Sequence, residues 1–182
     1  MQLYLIRHPQ PLIASGVCYG QSDLDVIEQE CQSVLRQLDG RLPSGITVFS
    51  SPLRRCAKLA QLLHESPIAD ARLMEMYFGR WEMQSWDAIA RPEIDAWAAD
   101  VPAYAPGGGE SVVTMAARII DFLADLAKKN LHEAAIVAHA GSIRLMLAYQ
   151  PGMQASDLAQ FVVEESRSVQ FGECIKHQIN LC

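Results

Sequence analysis

The stretch Gln2-Leu3-Tyr4-Leu5-Ile6-Arg7-His8-Pro9 decides how the chain is read. Residues 3–6 form a short apolar and aromatic run, which predicts a buried β-strand. The run stops at a cation and an imidazole, and then at a proline. A strand that ends this way delivers two polar groups to the edge of a sheet. In open α/β sheets, the edge outside the carboxyl ends of the strands is where ligands bind.

Two later strands end in the same manner. Residues 46–49 are apolar and lead into Ser50-Ser51-Pro52, an N-cap and first-turn signature. The helix that follows is expected over 52–63, with Arg54 and Arg55 just inside it. Residues 134–138 form a third buried strand ending in His139, and Ala140-Gly141 turn the chain into a helix over 142–149.

Between these units, residues 9–24 are rich in Pro, Gly and Ser and read as a long loop. Asp25 is expected to cap a helix through Leu38, with Ile27, Cys31, Val34, Leu35 and Leu38 on one face. Residues 72–76 predict a short strand, and 86–89 and 93–98 predict short helices. Pro106 and Gly107-Gly108-Gly109 make a turn, and the following helix N-terminus is a ready anion site. Ser111 or Glu110 then opens a long helix with Val112, Met115, Ala116, Ile119, Phe122, Leu123 and Leu126 at helical spacing. It ends near residues 128–130, and residues 169–179 suggest an edge hairpin. Strands alternate with helices, so the class is α/β with a largely parallel sheet.

The 182 residues suit one domain over 1–182, with enough chain for a sizeable core. The composition is 50% hydrophobic and 20% charged, with a formal net charge of −6. No Lys/Arg block supplies the basic face of a nucleic-acid binder. No run approaches the ~18 apolar residues of a membrane span. Five cysteines, without a C-x-x-C spacing, argue against a disulfide framework or zinc site and for a reducing compartment. The first strand begins at once, without a signal-peptide pattern, so a cytoplasmic protein is expected. The oligomeric state stays open, with a homodimer as one option.

Three strand ends thus bring together Arg7-His8, Ser50-Ser51 with Arg54-Arg55, and His139. Up to three cations and two imidazoles would repel one another unless an anion sat among them. Arginine forks fit phosphate oxygens bidentately. A His in a phosphate pocket can be a covalent nucleophile. Phosphoryl transfer otherwise needs positioning and charge neutralisation. An alkoxide leaving group needs a proton, and Glu75 and Glu82 are the candidate acids. A phosphate beside a carboxyl disfavours its ionised form, as an acid role requires. No Asp/Glu/His cluster with metal spacing accompanies these residues, and no metal or cofactor is expected.

L-I-R-H at 5–8, S-S-P-L-R-R-C-A at 50–57, L-M-E-M-Y-F-G-R-W-E at 73–82, P-G-G-G-E-S at 106–111 and V-A-H-A-G at 137–141 resemble the histidine phosphatase superfamily, also called phosphoglycerate mutase-like. The five motifs occur in order. The resemblance implies a three-layer α/β/α sandwich with a mostly parallel central sheet, and a phosphohistidine intermediate. It implies His8 as nucleophile, with Arg7, Arg55 and His139 completing the phosphate pocket. Glu75 falls on the position of the proton donor, and Glu82 is left as an organiser of the pocket or the alternative acid. The run C-Y-G-Q-S-D at 18–23, with F-G-R-W-E at 78–82, is similar to α-ribazole phosphatases of the cobalamin pathway. That similarity implies a small phosphorylated metabolite as partner, with Tyr19, Gln21 and Ser22 as candidate substrate contacts.

Two positions depart from the family pattern, which usually has Gly after the Arg-His pair and Thr two residues later. Here Pro9 and Pro11 stand instead, and Gln10 and Gln21 are candidates to compensate. Three alternatives remain at this point. Two are enzymes, a phosphoglycerate mutase and a broad-specificity small-molecule phosphatase. The third, motivated by the prolines, is a weakly active phosphate- or partner-binding module.

Overall fold

Strand β1 (Gln2–Arg7) lies second from one edge of a five-stranded sheet. The computed structural model describes residues 1–165 and 167–181; Ser166 and Cys182, the last of the five cysteines, lie outside the described residues. The other strands are β2 (Val48–Ser50), β3 (Ile68–Ala69), β4 (Glu133–Ala138) and β5 (Cys174–Gln178). Their order is β3-β2-β4-β1-β5, with β5 antiparallel to β1 and the remaining pairs parallel. The C-terminal segment is therefore a single edge strand rather than the hairpin expected over 169–179.

Alternation along the central strands sorts side chains to two faces. Leu3, Leu5, Ala134, Ile136 and Ala138 enter one core cluster; Tyr4, Ile6, Ala135 and Val137 enter another. Helices α1 (Glu28–Leu38) and α2 (Arg54–Leu63) cover the second face. On the first face lie α4 (Val112–Ala127), α5 (Ala140–Ala148) and α6 (Ala155–Glu164), the last with no counterpart in the sequence reading. The architecture is the expected α/β/α sandwich.

Helix α3 (Arg91–Ala99) stands apart, in an aromatic cluster with Cys18, Phe78, Trp81, Trp86 and Tyr104. Residues 72–76, expected as a strand, form a short 3-10 turn at Ala71–Leu73 followed by irregular chain. The carbonyls of Arg72, Met74 and Glu75 are taken by a side chain instead of a neighbouring strand. The glycine run at 107–109 explains itself by close approach. Gly107 has φ +61°, and a Cβ at Gly107 or Gly109 would strike the backbone of residues 77–81.

Two helix starts differ from expectation. Asp25 accepts from the Val26 N–H at 2.7 Å and pairs with Lys58 at 2.5 Å, so α1 begins only at Glu28. The N-terminus of α2 is capped from a distant loop, with Asp23 accepting from the Arg54 N–H at 2.7 Å. Ser51 lies instead in the site.

Candidate active site

Register places the three strand ends side by side. Arg7 pairs with Ala138 and Ser50 with Val137, so His8, Ser51 and His139 follow at one level. The His8 N–H donates to the Ala138 carbonyl at 3.0 Å, and the Ser51 N–H to Val137 at 3.0 Å. All three side chains are buried.

The His8 Nδ1 lies 2.6 Å from the Pro9 carbonyl. A carbonyl only accepts, so Nδ1 carries the proton and Nε2 keeps its lone pair. Burial, then the Arg55 and Arg7 charges, lower the His8 pKa from 6.5 to about 3, against the opposing bond to Pro9. His8 is thus a neutral imidazole at neutral pH. Pro9 contributes the carbonyl, which proline retains, so the departure from the family pattern leaves this bond intact. The His8 ring meets His139 edge-on, with centroids 5.0 Å apart. Burial, followed by His8 and Arg55, also holds His139 well below the ordinary imidazole value. Its Nε2 is 2.8 Å from Ser51 Oγ and 3.4 Å from Cys56 Sγ.

Arg55 is fully buried and donates to the carbonyls of Ser22, at 2.8 Å, and Gly20. Arg7 donates to the Val169 carbonyl at 2.5 Å, and its guanidinium lies 3.8 Å over the Phe171 ring. The Gly172 N–H also donates to the carbonyls of Arg7 and His8. The segment around 169–172 therefore holds the Arg7-His8 pair from outside, a role without a motif to announce it. Arg7 and Arg55 each keep a buried Nε with no hydrogen-bond partner among the described residues. Two guanidinium charges beside two neutral imidazoles make a site for a dianion. Arg54 is not a third cation here: it points outward to Asp23 as an exposed ion pair.

Glu75 stands opposite. Its Oε2 accepts from the Gly141 N–H at 3.1 Å and its Oε1 from the Met76 N–H at 3.0 Å. Gly141 lies in the first turn of α5, and a Cβ there would overlap Oε1. Glu82 is engaged differently. It accepts from the backbone N–H groups of Gln21 at 2.7 Å, Ser22 at 2.5 Å and Phe78 at 3.2 Å, and from the Ser22 hydroxyl. Glu82 thus binds the loop that Arg55 also grips. Gln21 extends this framework, its Nε2 donating to the Glu75 carbonyl at 3.1 Å.

A cavity of about 660 Å³ joins these groups. Arg7, His8, Tyr19, Arg55, Glu75 and His139 line its polar end. Much of the remaining lining is apolar, with Phe78, Trp86, Ile94, Trp97, Val112 and Leu145 among its residues. Of the remaining candidates, Gln21, Ser22 and Glu82 do not line the cavity and are tied to one another in the loop, and Gln10 is exposed and does not line it either. Pro11 bridges to Val26. Among the described residues, no group of three or more His, Cys, Asp and Glu side chains is arranged to hold a metal ion. Likewise, no described helix is long and apolar enough to cross a membrane. Two further residues grip the Glu75 segment: Arg118, which no motif in the sequence marks, and Glu110, which the sequence offers only as a helix start within the 106–111 motif.

The family model for the histidine phosphatase superfamily (branch 1) matches residues 3–177. An adenosylcobalamin/α-ribazole phosphatase of Escherichia coli (strain K12) is 27% identical, over 91% of this chain and 86% of that protein. A metal-independent phosphoserine phosphatase of Arabidopsis thaliana is 29% identical, over 79% of this chain and 66% of that one. Among solved structures, the α-ribazole phosphatase from Shigella flexneri superposes with a TM-score of 0.81 at 25% identity, covering 99% of this chain and 91% of its own.

Proposed function

The chain belongs to the histidine phosphatase superfamily and is a phosphoric monoester hydrolase, and from that premise we propose that it works through a phosphohistidine formed on His8. The observation that carries this reading is the hydrogen bond from Nδ1 to the Pro9 carbonyl, which leaves the Nε2 lone pair as nucleophile.

In the first step, Nε2 attacks phosphorus and the bond from phosphorus to the ester oxygen breaks. Arg7, Arg55 and His139 hold the phosphoryl oxygens, where electrostatic preorganisation contributes most. Protonated Glu75 gives its proton to the departing alkoxide. In the second step the Glu75 carboxylate takes a proton from water as that water attacks phosphorus. The N–P bond breaks, phosphate leaves, and the lone pair returns to Nε2. Glu82, saturated by four donors, is assigned to holding the 20–22 loop.

For the alcohol, we propose the 5′-phosphate of α-ribazole or of adenosylcobalamin. The support is the C-Y-G-Q-S-D run, the α-ribazole phosphatases among the relatives, and an apolar, aromatic wall suited to an aromatic nucleoside base. A phosphoserine or phosphoglycerate would bring a carboxylate into the same wall. Arg144 is the cation that lines it outside the phosphate end, and its Nη2 is held by the carbonyls of Val162 and Glu165.

The test is phosphate release, with no added metal, from α-ribazole 5′-phosphate beside phosphoserine, 3-phosphoglycerate and an aryl phosphate. Strong preference for the ribazole ester is expected. Equal rates on all four would remove the substrate assignment and leave the phosphatase.

A further inference from the structure

Residues 74–78 have no helix or strand to satisfy their backbone. Such groups must find partners elsewhere. The partners come from Arg118 of α4. Its Nη1 donates to the carbonyls of Arg72 and, at 2.8 Å, Met74; its Nη2 donates to the Glu75 carbonyl at 3.1 Å. The remaining donors form a fork on Glu110, Nε to Oε1 at 2.7 Å and Nη2 to Oε2 at 2.8 Å. All five N–H groups of the guanidinium are therefore used. Glu110 adds its own ties to Tyr77. Its N–H donates to the Tyr77 carbonyl at 2.7 Å, and its Oε2 accepts from the Tyr77 N–H at 3.3 Å. The pair is largely shielded, with side-chain exposures of 17% and 11%.

Neither residue lines the cavity. Their contacts nevertheless converge on the main chain that carries the acid, on both sides of Glu75. Gln21 takes the other lone pair of the same Glu75 carbonyl. We propose that Arg118, held by Glu110, is a positioning residue for the proton donor: it fixes the backbone from which the Glu75 carboxyl reaches the ester oxygen. This inference rests on Glu75 being the general acid.

A lysine cannot replace the fork, because a point charge with three rotatable donors cannot serve five acceptors in one plane. Misplacement of a reacting group by about 1 Å can cost on the order of 10²-fold in rate. The loss should fall on esters that need the proton. An alkoxide leaves poorly without it, whereas p-nitrophenolate leaves unprotonated.

The experiment is a ratio, kcat/KM on the fastest alkyl ester of the panel above over kcat/KM on p-nitrophenyl phosphate, which reads the phosphorylation step alone because hydrolysis of the phosphoenzyme is common to both; it is measured on the same sample so that the folded fraction cancels. Glu75→Gln is the reference. If it does not lower the ratio, the acid assignment fails and the Arg118 inference falls with it. If it does, Arg118→Lys and Glu110→Gln are expected to lower the ratio in the same direction, by about 10- to 100-fold for Arg118→Lys. Should Arg118→Lys prove inactive on both substrates, the Glu110→Gln ratio decides. A lowered Glu75→Gln ratio beside wild-type ratios in folded Arg118→Lys or Glu110→Gln would overturn the proposal and leave the pair a purely structural clamp.

Discussion

Replacing Gly141 with alanine puts a methyl group where the acid stands. An ideal Cβ at that position lies 3.2 Å from Glu75 Cδ and 3.2 Å from Met115 Cε, and overlaps Oε1 itself. Real Cβ atoms essentially never approach within 3.0 Å. The carboxylate must therefore retreat, by roughly 0.5–1 Å, which in a reacting group costs on the order of 10²-fold. That is about 2.7 kcal/mol of transition-state stabilisation. The same change replaces glycine inside a helix, which by itself favours the helix by about 0.5–1 kcal/mol. Activity and stability are thus separable. The assay is kcat/KM, which reads the phosphorylation step, on α-ribazole 5′-phosphate and on p-nitrophenyl phosphate, with a melting curve alongside. Expected is a loss near a hundredfold on the alkyl ester, a much smaller loss on the nitrophenyl ester, and a retained cooperative melt. Wild-type turnover of the alkyl ester by Gly141→Ala would show that Glu75 does not act from this position, and would refute the reasoning.

Other outcomes follow from the same contacts. The His8 pKa is about 3 folded against 6.5 ordinarily, so between these values the unfolded chain binds a proton that the folded one does not. Stability from this group is fully present above pH 6.5 and falls with pH by about 1.4 kcal/mol per unit, near 2 kcal/mol by pH 5. Urea titrations of wild type and His8→Asn at pH 7 and pH 5 should show that difference shrink in the variant; an unchanged difference would contradict a neutral buried His8. Pro9→Gly keeps the carbonyl that accepts from His8, so kcat is expected to persist while stability drops by about 0.4–1 kcal/mol through the looser unfolded chain. Loss of turnover in a folded Pro9→Gly protein would show that the ring itself aims the imidazole. Glu82→Ala strands three backbone N–H groups and a hydroxyl. It should lower stability by roughly 1–3 kcal/mol and raise KM, with the kcat/KM ratio between alkyl and nitrophenyl esters unchanged. A lowered ratio would make Glu82 part of the proton path.

The sheet and its loaded edge were legible because apolar runs ending in Arg7-His8, Ser50-Ser51 and His139 signal buried strands with polar ends. What escaped was written in longer-range terms. Helix α6 has only Leu158, Ala159 and Val162 buried, too thin a stripe to announce itself after Pro151 and Gly152. The two-residue β3 is exposed at the sheet edge, and no apolar alternation marks it. Residues 72–76 carry a strand-like pattern, yet the carbonyls of Arg72, Met74 and Glu75 go to Arg118, which on α4 reads as an ordinary surface cation. Phe171 and Val169 reach Arg7 across more than 160 positions of chain, beyond any local pattern. Pro9 looked like a defect because sequence displays the lost N–H and not the carbonyl that His8 uses.

Covalent chemistry at His8 is the centre of the account. Rapid-quench incubation with a ³²P-labelled substrate, followed by peptide mapping, tests it most directly. Expected is an acid-labile, alkali-stable phosphoryl group on the peptide containing His8, formed at a rate at least equal to kcat and absent from His8→Ala. Label on another residue, or turnover retained by His8→Ala, would contradict it.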